Sequence, residues 1–274
     1  MEYTKKGVSF IQLDILSIIS ISIIVFIIQN ILHEFFGHGG ATLLVGGKLI
    51  SLTTAYLESD LESVSGLGRR IVAAAGPIVN IVIGLLFWII LKRNNGKNGG
   101  FTFFLWLSMT VNLLTGTGYF LFSGVSGIGD WINVINGFGS IWTWRIIMII
   151  TGIFLYLLTI FLSLKELNLL IGADDSDRHK RALRLSLIPY LSGSIATTIG
   201  AFLNPVSILF VFTSAASTFG GTSGLAWMTQ LYSTKLFSKI GNKPITIKRN
   251  WLWVLFAFIL LSGHIIFLGP GIKF

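Results

Sequence analysis

Residues 8–40 read VSFIQLDILSIISISIIVFIIQNIL followed by HEFFGHGG: 25 predominantly apolar positions that lead directly into His33-Glu34-Phe35-Phe36-Gly37-His38-Gly39-Gly40. About 20 apolar residues suffice for a helix to cross the hydrocarbon core of a bilayer. Lys5 and Lys6 ahead of the stretch give it the look of a secretory signal. No small-residue cleavage site follows, however, and the stretch ends in ionisable groups, so the expectation is a retained helix.

Working outward, the same texture recurs. Residues 9–32, 70–91, 101–123, 141–163, 186–203, 206–230 and 251–268 are each long and apolar enough to be read as spans. The segment 186–203 is the shortest and carries Ser192, Ser194, Thr197 and Thr198. Only Asn204-Pro205 separates it from the next, which marks either a tight hairpin or a kink in one broken segment. Over the whole chain 53% of 274 residues are hydrophobic and 11% charged, against about 25% charged in a soluble domain. So apolar a chain could not cover a water-facing surface. The fold expected is an all-α transmembrane bundle of about seven spanning segments. Short strands over Lys48–Leu57, or a re-entrant piece, are expected between the first two.

The net charge of +9 could suggest nucleic acid as a partner, but the basic residues sit in short loops between apolar runs. Lys5 and Lys6, with the loops at 92–100, 164–185 and 232–250, place 15 of the 20 Lys and Arg on one side of a seven-helix arrangement. Lys48, Arg69, Arg70, Arg145 and Lys273 fall on the other. That is the positive-inside bias, with the N-terminus in the cytoplasm, and it excludes nucleic acid as the reason for the charge. The polar run from Lys165 to Arg184, which includes Asp174-Asp175-Ser176, reads as a solvated cytoplasmic connection. Glycines between Gly220 and Gly224 permit close helix packing or a break. No Lys-Ser/Thr follows them, so they are not a phosphate loop. With no cysteine, any bound metal must rest on His, Asp or Glu.

The ionisable residues ending the first stretch carry the chemistry. Two histidines and a glutamate at bilayer depth are costly and belong in a protein interior or a wet cavity. His-Glu-x-x-His on a helix puts two imidazoles on one face for Zn²⁺ and uses the glutamate to activate water. Here the histidines are five apart, which in a straight α-helix turns them ~140° from each other. A π-bulge would restore the alignment. A helix ending near Gly37, with His38 reaching back from a loop, would also do so. A third arrangement makes Glu34 and His38 the ligand pair, and a fourth is a metal-free hydrogen-bonded cluster.

His-Glu-Phe-Phe-Gly-His, followed by Ala74-Ala75-Gly76-Pro77-Ile78-Val79-Asn80 at the start of the next helix, resembles the site-2 protease family of intramembrane zinc metalloproteases. The resemblance covers residues ~20–135 and is that of a divergent member. The family carries His-Glu-x-x-His in one helix and Gly-Pro-x-x-Asn in the following one. A third helix brings Asn-Leu-Leu-Pro and a ligand aspartate, and here Asn112-Leu113-Leu114 stands in the third stretch. Three departures are visible: the extra residue between the histidines, Thr115 in place of the proline, and no carboxylate in Gly116-Thr117-Gly118-Tyr119-Phe120. The nearest replacement is Asp130 in Gly127-Ile128-Gly129-Asp130-Trp131, which reads either as the third ligand or as a helix cap.

The resemblance implies a zinc endopeptidase acting on transmembrane or membrane-adjacent protein segments. In it His33, His38 and Asp130 hold Zn²⁺, Glu34 is the catalytic base, and Asn80 and Asn112 contact substrate. Interhelical hydrogen bonding is the other reading of the two asparagines. Glu58, Asp60 and Glu62 are expected to be solvated, and His264 to be a hydrogen-bonded structural histidine. On this reading residues 1–135 form the catalytic membrane core and 136–274 add helices of unknown role. A non-catalytic membrane protein (an inactive relative, scaffold or transporter) is the alternative.

Overall fold

The computed structural model describes residues 13–172, 177–203, 208–233 and 243–274. Lys5, Lys6, Asp174-Asp175-Ser176, the Asn204-Pro205 junction, Lys235 and Lys239 lie outside them. The described chain is mostly helical. Helix α1 (Ile15–Ile31) continues through a π-helical segment, Leu32–Gly39, into α2 (Gly40–Leu44). Strands β1 (Lys48–Leu52) and β2 (Leu57–Asp60) follow, then α3 (Gly66–Arg93), α4 (Gly99–Ser126), α5 (Asp130–Ile135), α6 (Ile141–Ile171) and α7 (Arg178–Ala201). Last come α8 (Ile208–Gly221), α9 (Gly224–Trp227), α10 (Trp251–Gly263) with a second π-helical segment at His264–Leu268, and β3 (Ile272–Lys273).

Side-chain caps fix several helix starts. Asp14 Oδ1 accepts from Ser17 N at 2.9 Å, Ser65 Oγ from Gly68 N at 3.1 Å and Asn98 Oδ1 from Phe101 N at 3.0 Å. Among the described residues, four helices are long and apolar enough to cross a membrane: Ile15–Leu44, Gly66–Arg93, Ile141–Ile171 and Trp251–Leu268. Their outward faces carry exposed Ile, Leu and Phe, among them Ile150, Phe154, Leu252 and Phe258.

Two of the other three apolar segments differ in kind. Helix α4 is as long but more polar, and it is the central helix of the bundle. Thr102, Thr110, Asn112, Thr115 and Thr117 are all buried in it. A helix shielded by its neighbours can carry groups that a lipid-facing one cannot. It packs on α3 through small residues: a Cβ on Gly84 or Gly116 would come within 2.6 Å of Leu113 or Ile81 side-chain atoms. The segment 206–230 is broken at its glycines into α8 and α9. There Tyr156 of α6 fills the gap, its hydroxyl donating to Gly221 O and accepting from Gly224 N, both at 2.8 Å. Apolar residues from Leu13 to Ile247, on both sides of residue 135, share one core.

One expectation is corrected. Most of the 165–184 run is not a solvated connection, because α6 extends to Ile171 and α7 starts at Arg178. Glu166, Asn168, Arg178 and Arg181 are buried there. Glu166 accepts from Lys92 Nζ at 2.6 Å and from Trp88 Nε1 at 3.0 Å, and Asn168 Oδ1 accepts from Arg178 at 3.1 Å. Glu166 is buried because Lys92 and Trp88, 74 and 78 residues away in the chain, meet it there, while Arg178 and Arg181 turn back onto Asn168 and Ile171, ten residues before them.

The strands between the first two spans form a small sheet ordered β2-β1-β3. Antiparallel β1–β2 has a bulge between Leu49 and Ser51, and β3 comes from the C-terminus. This sheet lies at the end of the bundle where α1 gives way to its π-helical segment.

Candidate metal centre

The π-helical segment Leu32–Gly39 answers the five-residue spacing. One wider turn brings residue i+5 back over residue i, and the rings of His33 and His38 meet edge to face with centroids 4.9 Å apart. Their Nε2 atoms are 3.3 Å apart. Helix α3 closes the wall behind them. Glycines on both sides allow this approach: a Cβ on Gly37 would lie 2.7 Å from Gly76 Cα. A Cβ on Gly76 would lie 2.5 Å from His38 Nε2 and 2.7 Å from His33 Nε2, filling the space between the rings.

Each ring's other nitrogen is held. His38 Nδ1 donates to Val72 O at 2.7 Å, one residue before the carbonyl that Pro77 deprives of its helical donor. His33 Nδ1 is 2.6 Å from Asn80 Oδ1, and a relay fixes the direction of that bond. Ser108 O can only accept, so Asn112 Nδ2 donates to it at 2.8 Å. That turns Asn112 Oδ1 toward Asn80 Nδ2, at 3.1 Å, and Asn80 Oδ1 toward His33. His33 therefore carries its proton on Nδ1 and presents a lone pair at Nε2. Asn80 and Asn112 are fully buried in this relay, and neither lines the cavity described below.

Asp130 completes the group. Its Oδ2 lies 3.2 Å from His33 Nε2 and 3.5 Å from His38 Nε2. It is the first residue of α5 and caps nothing; the N-cap position belongs to Gly129. Gly127 (φ 75°) and Gly129 (φ 93°) let the chain turn back toward the histidines. Two arginines hold the turn from outside. Arg145 donates to Gly124 O at 2.8 Å and Val125 O at 2.6 Å, and Arg70 to Val134 O at 3.0 Å and Asn136 O at 2.7 Å. These two charges, which ran against the positive-inside bias, thus bind backbone carbonyls around Asp130.

Two imidazole lone pairs and a carboxylate oxygen pointed into one space require a positive charge among them. A single proton would need a near-linear hydrogen bond. Asp130 Oδ2 has none of acceptable geometry, although both rings are close. A cation equidistant from all three fits better. Ligand atoms on a tetrahedron with ~2.0–2.1 Å bonds are ~3.3 Å apart, and the three edges here are 3.2, 3.3 and 3.5 Å. Among the described residues this is the one His/Asp/Glu group with metal-holding geometry.

A cavity of about 670 Å³ opens beside it, lined by Glu34, His38, Tyr56, Arg69, Tyr119 and Asp130 among others. Glu34 Oε2 accepts from Leu57 N of β2 at 3.1 Å. A polar pocket of about 30 Å³, room for a water molecule, lies between His33, Glu34 and Gln29. The sequence reading missed Tyr119, whose ring stacks on His33 at 4.8 Å. Its signal was present: it follows Asn112 by seven residues and so shares its helix face. Glu58, Asp60 and Glu62 stand apart from the triad. Glu58 accepts from Ser51 Oγ on the exposed face of the hairpin. A scan against protein-family models and searches of curated proteins and solved structures give no match, so the likeness to site-2 proteases rests on the residues quoted above.

Proposed function

We propose that this chain is a multi-pass integral membrane zinc endopeptidase that hydrolyses peptide bonds in membrane-embedded or membrane-adjacent protein segments. The observation that carries the reading is the convergence of His33 Nε2, His38 Nε2 and Asp130 Oδ2 beside a cavity that Glu34 also lines. Three protein ligands with one position left open are what catalytic zinc sites use. Seven crossings with the N-terminus in the cytoplasm remain the topology that accounts for the loop charges.

His33, His38 and Asp130 would hold the zinc, which would supply Lewis acidity to a water and to the scissile carbonyl. Glu34 takes that water's proton as its oxygen attacks the carbonyl carbon. The same carboxyl then gives the proton to the leaving nitrogen as the C–N bond breaks, yielding an amine and a carboxylic acid that then ionises. Asn80 and Asn112 are positioning residues in this scheme, holding the His33 ring rather than touching substrate. The substrate must be locally extended, since a helical peptide shields its carbonyl carbon.

The test compares wild type with Glu34→Gln in detergent micelles, using fluorescently labelled casein as the probe. Zinc content should be equal and casein cleavage should drop to background in the variant. Undiminished cleavage would remove Glu34 from the chemistry. Folded wild-type protein that binds no zinc would favour the non-catalytic alternative.

A further inference from the structure

At the opposite end of α1 from the triad lies a polar groove of about 550 Å³. Asp14, which heads α1, and His33 are 19 residues apart, ~28 Å along a helix and close to the thickness of a hydrocarbon core. The groove is lined by Lys97, Asn98, Gly99 and Gly100 at the start of α4, and by residues between Thr246 and Trp253 at the start of α10, Lys248 and Arg249 among them. It contains no carboxylate.

Its chemistry is that of an anion receptor. Lys97 and Lys248 have no ion-pair partner among the described residues, whereas Arg249 is occupied by Asp14 at 2.9 Å. Asn98 caps α4 by taking the N–H of Phe101 on its side chain and that of Thr102 on its carbonyl. The N–H groups of Gly99 and Gly100 are left without an acceptor among the described residues, in a groove that faces the positive end of a 28-residue helix. Trp253 Nε1, another donor without a partner among the described residues, would lie 3.2 Å from a Cβ placed on Gly100. Trp251 beside it is 66% exposed, as a headgroup-level aromatic would be.

We propose that this groove binds the phosphate headgroup of an anionic membrane lipid, with Lys97, Lys248, the Gly99–Gly100 N–H groups and Trp253 Nε1 as donors. The inference uses the membrane reading above and is independent of the hydrolytic one. A lipid is favoured over free phosphate because the groove borders the exposed apolar flank of α10 (Trp251, Leu252 and Leu255), where acyl chains would lie. It also lies on the lysine- and arginine-rich side, which faces the anionic leaflet.

Native mass spectrometry of delipidated protein in neutral detergent tests this with short-chain phosphatidylglycerol, phosphatidylcholine and inorganic phosphate. One phosphatidylglycerol per chain should be retained where phosphatidylcholine is not. Lys97→Gln/Lys248→Gln should weaken retention roughly 30-fold, the effect of two surface charges. Lys97→Arg/Lys248→Arg should retain it, as should Arg93→Gln/Arg184→Gln, which removes two charges outside the groove. Equal retention by the Lys→Gln pair, equal binding of phosphatidylcholine, or an equal loss in the Arg93/Arg184 pair would overturn the site. Inorganic phosphate competing at matched concentration would overturn the lipid as occupant. None of these outcomes depends on zinc or on cleavage of casein.

Discussion

Among the described residues two π-helical segments contain a histidine, and they have different surroundings. In Leu32–Gly39 the wide turn brings two imidazoles together, supplies each Nδ1 with an acceptor, and meets a carboxylate from α5. In His264–Leu268 the single His264 is just as buried, but its Nε2 is 3.4 Å from Thr197 O and its Nδ1 has no partner among the described residues. Among the described residues no further His, Asp or Glu joins it in a three-ligand group. A backbone irregularity can therefore turn a ring inward, but it does not make a site. The second ligands and the acceptors behind the rings do that.

Three substitutions and a deletion sharpen this contrast. The largest effect is expected from Gly76→Ala, whose methyl would occupy the space between the two Nε2 atoms. Zinc should fall to background while circular dichroism retains the helical spectrum. Asn80→Leu breaks the relay behind His33 and should weaken zinc affinity about 10–100-fold, the usual cost of losing such a partner, as measured by competition with a chelator. Deleting Phe36, a 59% exposed residue within the π-helical segment, should restore an ordinary α-helix with the histidines four apart. Zinc should then stay bound within a few-fold of wild type. Loss of zinc on that deletion would mean that the ring alignment depends on more than the turn. The smallest effect belongs to His264→Leu, which removes a buried group lacking one hydrogen bond. Zinc content and cleavage should be unchanged, and any shift in thermal midpoint should be small in either direction.

Much of this was legible in sequence because it is local. The apolar runs located α1, α3, α6 and α10, and the glycines of Gly220–Gly224 offered a break, beside close packing, where α8 gives way to α9. The motif residues His33, Glu34 and His38 and the candidate Asp130 were also visible. The five-residue spacing stated a geometric problem but could not choose between a π turn and a broken helix, since Gly37, Gly39 and Gly40 permit either.

What stayed hidden depends on contacts between distant positions. Arg70 and Arg145 counted only as charges in a topology, because the carbonyls they bind become neighbours only in the fold. Glu166 looked solvated because its partner Lys92 is 74 residues away. The Asn80–Asn112 pair offered two readings. Only the position of Ser108 O, one turn below Asn112, gives the relay a direction. The buried polar face of α4 could have been read, since five Thr and Asn between Thr102 and Thr117 are too many for a helix facing lipid on all sides.

The central claim is that His33, His38 and Asp130 hold one metal together. Elemental analysis of zinc in purified, folded protein, wild type beside His33→Ala, His38→Ala and Asp130→Ala, tests it most directly. One zinc per chain is expected in wild type, and none in any of the three variants. Folded wild type without zinc, or zinc retained after any of the three substitutions, would contradict it.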